Sequence, residues 1–231
     1  MKKFFIIIPF SKMNLSVAKK LREHYVDNNP WHTHVSMVAP KGKFLLDREN
    51  LENFWDIYCD EVKEGKTILG VAEKPQKYLP VLGDIDLKSL VDDDQELGDH
   101  LYSEEQIKQV ISVYQSVLRN IVDNCRDYYL LCVVLEKPMY FIHAGEKTYV
   151  KNGFHLHFPN LFLSRIDQEI HVIPRIKEQL KELETFKDIG FENSGDVIDK
   201  CCCNVPWLML GSRKSEDMDP YSVTKIIGSD G

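Results

Sequence analysis

Two aspartates one residue apart, Asp84 and Asp86, end the apolar run Leu79-Pro80-Val81-Leu82-Gly83-Asp84-Ile85-Asp86-Leu87. On a strand, residues i and i+2 share a face, so the two carboxylates would stand side by side. Charges of one sign held that close repel unless a divalent ion lies between them, and the pair reads as a metal site. Alone the pattern is weak, since Asp-x-Asp also occurs in glycosyltransferases, nucleases and plain loops. Three further segments add to it. In Lys151-Asn152-Gly153-Phe154-His155-Leu156-His157-Phe158 a glycine opens a strand on which His155 and His157 share a face, with His157 reading as an exposed or core histidine. Asp196-Val197-Ile198-Asp199 offers a third carboxylate. Past Val205-Pro206-Trp207, a strand-like segment ends in Gly211-Ser212-Arg213-Lys214, a tip carrying the donors that hold phosphate.

The elements that must position these residues are legible from periodicity. Leu15, Ala18, Leu21 and Tyr25 predict a helix over 13–26, stopped at Asn28-Asn29-Pro30. Residues 33–38 look extended. Asp47 can cap a second helix on which Leu51, Phe54, Trp55, Tyr58 and Val62 recur at three and four, closed by Gly65. Strands are expected over 67–72 and 78–87. Ser103-Glu104-Glu105-Gln106 fits a capping box ahead of Ile107, Val110, Ile111, Tyr114, Val117, Leu118 and Ile121. Residues 128–135 and 154–163 read as strands, and 139–142 with 147–150 as a hairpin around Ala144-Gly145. Ser164 opens a helical stretch that Pro174 is expected to kink or split, and 204–210 and 221–227 look like final strands. Strands and helices without strict alternation predict an α+β fold rather than a doubly wound sheet.

With 231 residues, 43% of them hydrophobic, the chain can bury a core as one domain or as two small lobes. The apolar stretch at 4–8 stops at Pro9, too short for a secretory segment or a membrane span. Six cysteines without CxxC spacing, three of them consecutive (Cys201, Cys202, Cys203), read as free buried thiols. The net charge of -7 excludes a generally basic nucleic-acid sponge, but the charge is uneven. Residues 84–105 hold nine acids and one lysine, including the loop-like Asp92-Asp93-Asp94, whereas 137–181 hold seven bases and four acids. No GxxxxGK[ST] occurs, so no P-loop is encoded in these residues. The chain stops at Gly228-Ser229-Asp230-Gly231 directly after a strand-like segment, as a piece of a longer protein would.

Taken in order, the motifs resemble those of the archaeo-eukaryotic primase superfamily: an apolar strand with Asp-x-Asp, a later strand with a small residue, any residue and His, and an apolar residue followed by Asp. Asp84 and Asp86, Gly153-Phe154-His155 and Ile198-Asp199 match them. The likeness spans 79–221, more loosely 34–80, and is to the primase domain of the primase-helicases of large nucleocytoplasmic DNA viruses. Gly153 stands where many members have Ser, and Leu208 where some have an arginine, leaving that charge to Arg213 or Lys214.

The resemblance implies a single primase-polymerase domain over 1–231, the N-terminal fragment of a longer primase-helicase. An α/β part over 1–76 would pack on a catalytic core over 77–231, with an RRM-like mixed sheet and flanking helices. It implies that Asp84, Asp86 and Asp199 hold two Mg²⁺ or Mn²⁺ ions, able to activate a 3′-hydroxyl and neutralise departing pyrophosphate. His155 would contact the triphosphate, Lys151 and Lys214 would neutralise its tail, and Gly211, Ser212 and Arg213 would offer donors. The implied activity is template-directed nucleotidyl transfer from NTP or dNTP substrates, making short primers on single-stranded DNA during viral replication. A fused superfamily 3-type helicase is the implied partner, with no membrane, and the host cytoplasm or a viral replication factory is the implied location. Arg165, Arg175, Lys177 and Lys181 could meet template phosphates. Trp207 or Tyr221 could stack on bases, although core packing is the simpler role for an aromatic. Two other functions fit the acids. A metal-dependent nuclease would cluster them too, but gives no reason for the 211–214 tip. A non-catalytic DNA-binding replication module gives no reason for three intact acidic positions.

Overall fold

In a computed structural model, which describes residues 16–91, 100–200 and 202–229, the chain forms two units. Residues 4–8, Asp92-Asp93-Asp94 and Cys201 lie outside the described residues. The first unit joins Met1–Lys74 to Leu208–Met218, and the second joins Pro75–Trp207 to Asp219–Gly231.

The first unit holds a five-stranded sheet and two helices. Numbered along the chain, its strands are β1 (Tyr25–Val26), β2 (His34–Ser36), β3 (Gly42–Phe44), β4 (Val71–Glu73) and β9 (Trp207–Leu208), in the order β1-β3-β2-β4-β9, the chain passing from the second unit to the first within β9, after Trp207. Helix α1 (Val17–Glu23) starts where the Ser16 hydroxyl accepts from the Lys19 N–H, and it ends before Tyr25, earlier than its periodicity predicts. Tyr25 is claimed by the sheet, pairing with Phe44 and lying over Gly42, where a Cβ would meet the Tyr25 ring at 2.7 Å. Helix α2 (Arg48–Glu64) begins on the Asp47 carboxylate and ends at Gly65, whose φ of 65° is the left-handed conformation glycine adopts at no steric cost. Phe44, Phe54, Tyr58 and Val71 fill the core between helices and sheet.

His34 is 1% exposed, with its ring against Phe54 and Nδ1 2.9 Å from the Thr33 hydroxyl. Burial disfavours its charged form and lowers its pKa from 6.5 to about 4. A depressed folded-state pKa means stability that is complete above 6.5 and is lost as pH falls toward 4, because the unfolded chain binds the proton first. We expect the unfolding free energy from urea titrations to drop across this window by up to about 3 kcal/mol, and the drop to shrink in His34→Gln.

In the second unit β5 (Tyr78–Val91), β6 (Cys132–Glu136), β7 (Tyr140–Ala144), β8 (Lys147–Ser164) and β10 (Ser222–Ile227) form an antiparallel sheet ordered β10-β6-β8-β5, with β7 also paired to β8. Helix α3 (Glu104–Ile121) opens with the expected capping box: the Gln106 N–H donates to the Ser103 hydroxyl, and the Ser103 N–H to Gln106 Oε1. Its buried stripe of Ile107, Val110, Ile111, Tyr114, Val117 and Leu118 packs on the sheet face formed by Val81, Ile85, Leu87, Val134, Phe154, Leu156 and Phe158. Helix α4 (Arg165–Asp167) runs through a π-helical turn, Gln168–Val172, into α5 (Ile173–Glu182). Pro174 therefore does not split the stretch; it sits in the first turn of α5, where a missing N–H is tolerated, and the widened turn precedes it. Gln168 is buried there and donates to the carbonyls of Leu79 and Pro80, satisfying backbone at the β5 bulge between Pro80 and Val81.

Other expectations shift for similar reasons. The stretch 128–135 begins as a 3₁₀ turn, Asp127–Leu130, and 204–210 yields only β9. The expected thiol burial holds for Cys132, Cys202 and Cys203, but Cys59 is exposed and Cys125 half-buried. No helix among the described residues is long and apolar enough to cross a membrane.

Gly83 and Tyr114 form a tight pair beneath the strand. A Cβ at Gly83 would lie 2.7 Å from the Tyr114 hydroxyl, which is buried and has no hydrogen-bond partner among the described residues. We expect Gly83→Ala to cost about 1–3 kcal/mol by overpacking. Tyr114→Phe should be neutral or stabilising, since it deletes a buried unsatisfied polar group. In the double variant part of the alanine cost should vanish, as urea denaturation of the four-member cycle would show.

Candidate functional site

The register of β5 against β8 assembles the site. Asp84 stands opposite His155, Asp86 opposite Gly153 and Lys88 opposite Lys151. Ile85 and Leu87 turn into the core, so Asp84 and Asp86 share the other face, as the i, i+2 spacing requires. Each carboxylate has a cationic or potentially cationic neighbour. Lys151 Nζ is 2.7 Å from Asp86 Oδ2, and His155 Nε2 is 3.4 Å from Asp84 Oδ1. Burial works against the Lys151 ammonium, but the hydrogen bond and charge of Asp86, joined by Tyr140 and Asp84, outweigh it and raise its pKa.

Asp199 arrives from the far side of β5. Its N–H donates to the Asp84 carbonyl at 2.9 Å, next to an antiparallel bridge between Ile85 and Ile198. The preceding 3₁₀ turn, Ser194–Val197, is pinned on α5: a Cβ at Gly195 would lie 2.5 Å from the Lys177 carbonyl oxygen, and Val197 and Ile198 are both buried. The third acid motif is thus one backbone hydrogen bond from the first.

His155 is held by aromatic rings. Tyr221 stacks on it, with centroids 3.7 Å apart at 24°, and Trp207 packs at 4.4 Å. Lys137 Nζ lies 4.7 Å from the Tyr221 centroid and 4.6 Å from that of Tyr140. Burial, with the charges of Asp84 and Asp86 adding to it, pushes the Tyr221 phenol far above its ordinary range. Trp207 and Tyr221 are therefore occupied as packing for the histidine, the role that sequence reasoning weighed against base stacking.

Sequence reasoning missed the buried Glu136. It accepts hydrogen bonds from Tyr102, Thr224 and Lys225, tying β10 and the start of α3 to β6. Burial opposes its charge, but these donors prevail and its pKa is lowered. The only local signal is a glutamate closing an apolar strand, Cys132–Glu136.

The 211–214 tip belongs to the first unit. Gly211 has a φ of 80°, in the left-handed region. The Ser212 hydroxyl accepts from the Val71 N–H and is hydrogen-bonded to the Tyr58 hydroxyl, and the Ser212 and Arg213 amides donate to Met209 and Leu69. These donors hold the turn itself. Arg213, half-buried, and Lys214, exposed, remain as the cationic side chains of the tip. Of the residues named for template phosphates, Arg165, Arg175 and Lys181 are exposed and Lys177 is half-buried, and Arg175 donates to the His171 carbonyl.

Among the described residues no three His, Cys, Asp or Glu side chains gather into a ready-made metal cage. The donor set still fits one kind of ion. Mg²⁺ and Mn²⁺ are hard cations that bind through one or two carboxylates, with substrate phosphates and water completing the shell. Asp84 and Asp86 supply such a pair, with side chains 20% and 35% exposed.

The chain matches the family model described as the C962R protein N-terminal AEP domain over residues 33–227. It is 39% identical over 209 residues to the helicase-named protein 121R of Invertebrate iridescent virus 3, covering 85% of this chain and 21% of that protein. It is 36% identical over 214 residues to the helicase-named 184R of Invertebrate iridescent virus 6, covering 86% and 22%. It is 25% identical over 194 residues to the helicase-named L207/L206 of Acanthamoeba polyphaga mimivirus, covering 83% and 19%. The chain spans about a fifth of the length of these relatives.

Proposed function

Since the chain belongs to the family of C962R protein N-terminal AEP domains, within the archaeo-eukaryotic primases, we propose that it is the catalytic domain of a primase-polymerase that makes short primers on single-stranded DNA. The observation that supports this reading is the backbone placement of the three acids along one stretch of β5, Asp84 and Asp86 on a shared strand face and Asp199 with its N–H on the Asp84 carbonyl.

In this reading a 3′-hydroxyl oxygen attacks the α-phosphorus of a nucleoside triphosphate, the bond to the β-phosphate oxygen breaks, and pyrophosphate leaves. Asp84, Asp86 and Asp199 would hold two Mg²⁺ or Mn²⁺ ions, which when bound lower the hydroxyl pKa and neutralise the leaving group. His155, fixed against Tyr221 and Trp207, presents one imidazole edge beside Asp84, where it can donate to a triphosphate oxygen. Lys151 balances the charge of Asp86 and adds positive potential next to the departing phosphates. In the first unit Ser212 and the amides of Ser212 and Arg213 hold their own turn, so the expected triphosphate donors of that tip are reduced to the side-chain charges of Arg213 and Lys214.

The relatives' length and helicase names support a fused helicase following this domain, and their viral origin supports action inside the infected cell. The test is incorporation of labelled nucleotide on a single-stranded template in the presence of Mn²⁺. Template-dependent extension supports the proposal. Degradation of the template without incorporation would replace it with a nuclease.

A further inference from the structure

The face that carries Asp84 and Asp86 continues beyond them. On β5 it next presents Lys88 and Leu90, on β8 Lys151 and Tyr149, and on β7 Tyr140. Lys88 is exposed and its Nζ lies 4.0 Å from the centre of the Tyr149 ring, while Lys137 approaches Tyr140 at 4.6 Å. Leu90, beside Tyr149 in the register, is 61% exposed. Along this face of the three strands no carboxylate follows Asp86 among the described residues.

Ammonium groups interleaved with aromatic rings on an open strand face are the pairing a single nucleic-acid strand uses, phosphates meeting the lysines and bases the rings. Same-face positions recur about every 7 Å along a strand, so the rings and charges form a track rather than one pocket. We propose that this strip binds the unpaired template strand and leads it to Asp84 and Asp86. The assignment of the template rests on the proposed function: primer bases are paired and cannot offer a free face to a tyrosine, whereas the bases of the unpaired template can.

Fluorescence anisotropy with a labelled single-stranded oligonucleotide and the 231-residue chain tests this. Tyr149→Ala should weaken binding by roughly tenfold while Tyr149→Phe, which keeps the ring, binds like the wild type. Lys88→Gln, at an exposed position, should make the dependence of log K on log salt shallower by about 0.7. The oligonucleotide annealed to its complement should compete poorly. Binding that falls as expected in Tyr149→Ala and Lys88→Gln, in a wild-type chain that incorporates no nucleotide, would support the strip while removing the proposed reaction. Tyr149→Ala and Lys88→Gln binding like the wild type, or duplex competing as well as single strand, would overturn the inference.

Discussion

Asp84→Asn and Asp86→Asn, made singly, are expected to lower templated nucleotide incorporation at least roughly a thousandfold without unfolding the protein. Asparagine keeps the shape and one acceptor oxygen but removes the charge that holds a dication. Each 1.36 kcal/mol lost in the transition state is tenfold in rate, and metal-ion stabilisation of a phosphoryl centre is worth several kcal/mol. The fold should tolerate the change. Both side chains are partly exposed, and the Lys151–Asp86 ion pair, with its lysine 24% and aspartate 35% exposed, contributes on the order of 1 kcal/mol or less. Relief of repulsion between the two carboxylates acts in the opposite direction. Steady-state incorporation and thermal melting of the same preparations separate the two effects. Incorporation surviving in either variant would remove the strand carboxylates from the chemistry.

Gly153→Ser should be severe for a different reason. Serine is the residue many members of the superfamily carry in this motif, so the change appears conservative by pattern. In this chain a Cβ at Gly153 would sit 2.0 Å from the Ile85 carbonyl oxygen and 3.4 Å from the Asp86 Cα, both backbone atoms that cannot rotate away. The strands approach so closely at the site that β5 and β8 would have to part where Asp86 and Gly153 face each other. Overpacking against flexible side chains costs about 1–3 kcal/mol; against backbone the cost should reach or exceed about 3 kcal/mol, a large share of a typical domain's stability. Urea denaturation of Gly153→Ser beside Gly153→Ala reads this directly, because both carry the offending Cβ. The glycine is thus less a missing hydroxyl than the condition for Asp86 to lie where it does.

What the sequence disclosed and what it hid divide by range. The shared face of Asp84 and Asp86, the capping box of α3 and the hairpin of β7 with β8 follow from spacing within a few residues, and the structure has all three. Asp199 was legible only as a motif in order. Its approach to Asp84 is a backbone hydrogen bond across more than a hundred residues, and no local pattern encodes such a bond. The Tyr221 stack on His155 and the use of Ser212 to hold β4 are equally non-local. For an isolated Tyr or Ser, sequence supplies the donor or the ring but not the partner that consumes it. The truncation of α1 shows the reverse conflict, where helical periodicity through Tyr25 yields to sheet pairing with Phe44.

The most direct measurement is anomalous scattering from crystals grown with Mn²⁺ and a nonhydrolysable nucleoside triphosphate. The account expects manganese density contacted by carboxylate oxygens of Asp84, Asp86 and Asp199 together with the triphosphate. Manganese elsewhere on the nucleotide, with Asp199 turned away and the two strand aspartates paired only to Lys151 and His155, would contradict it.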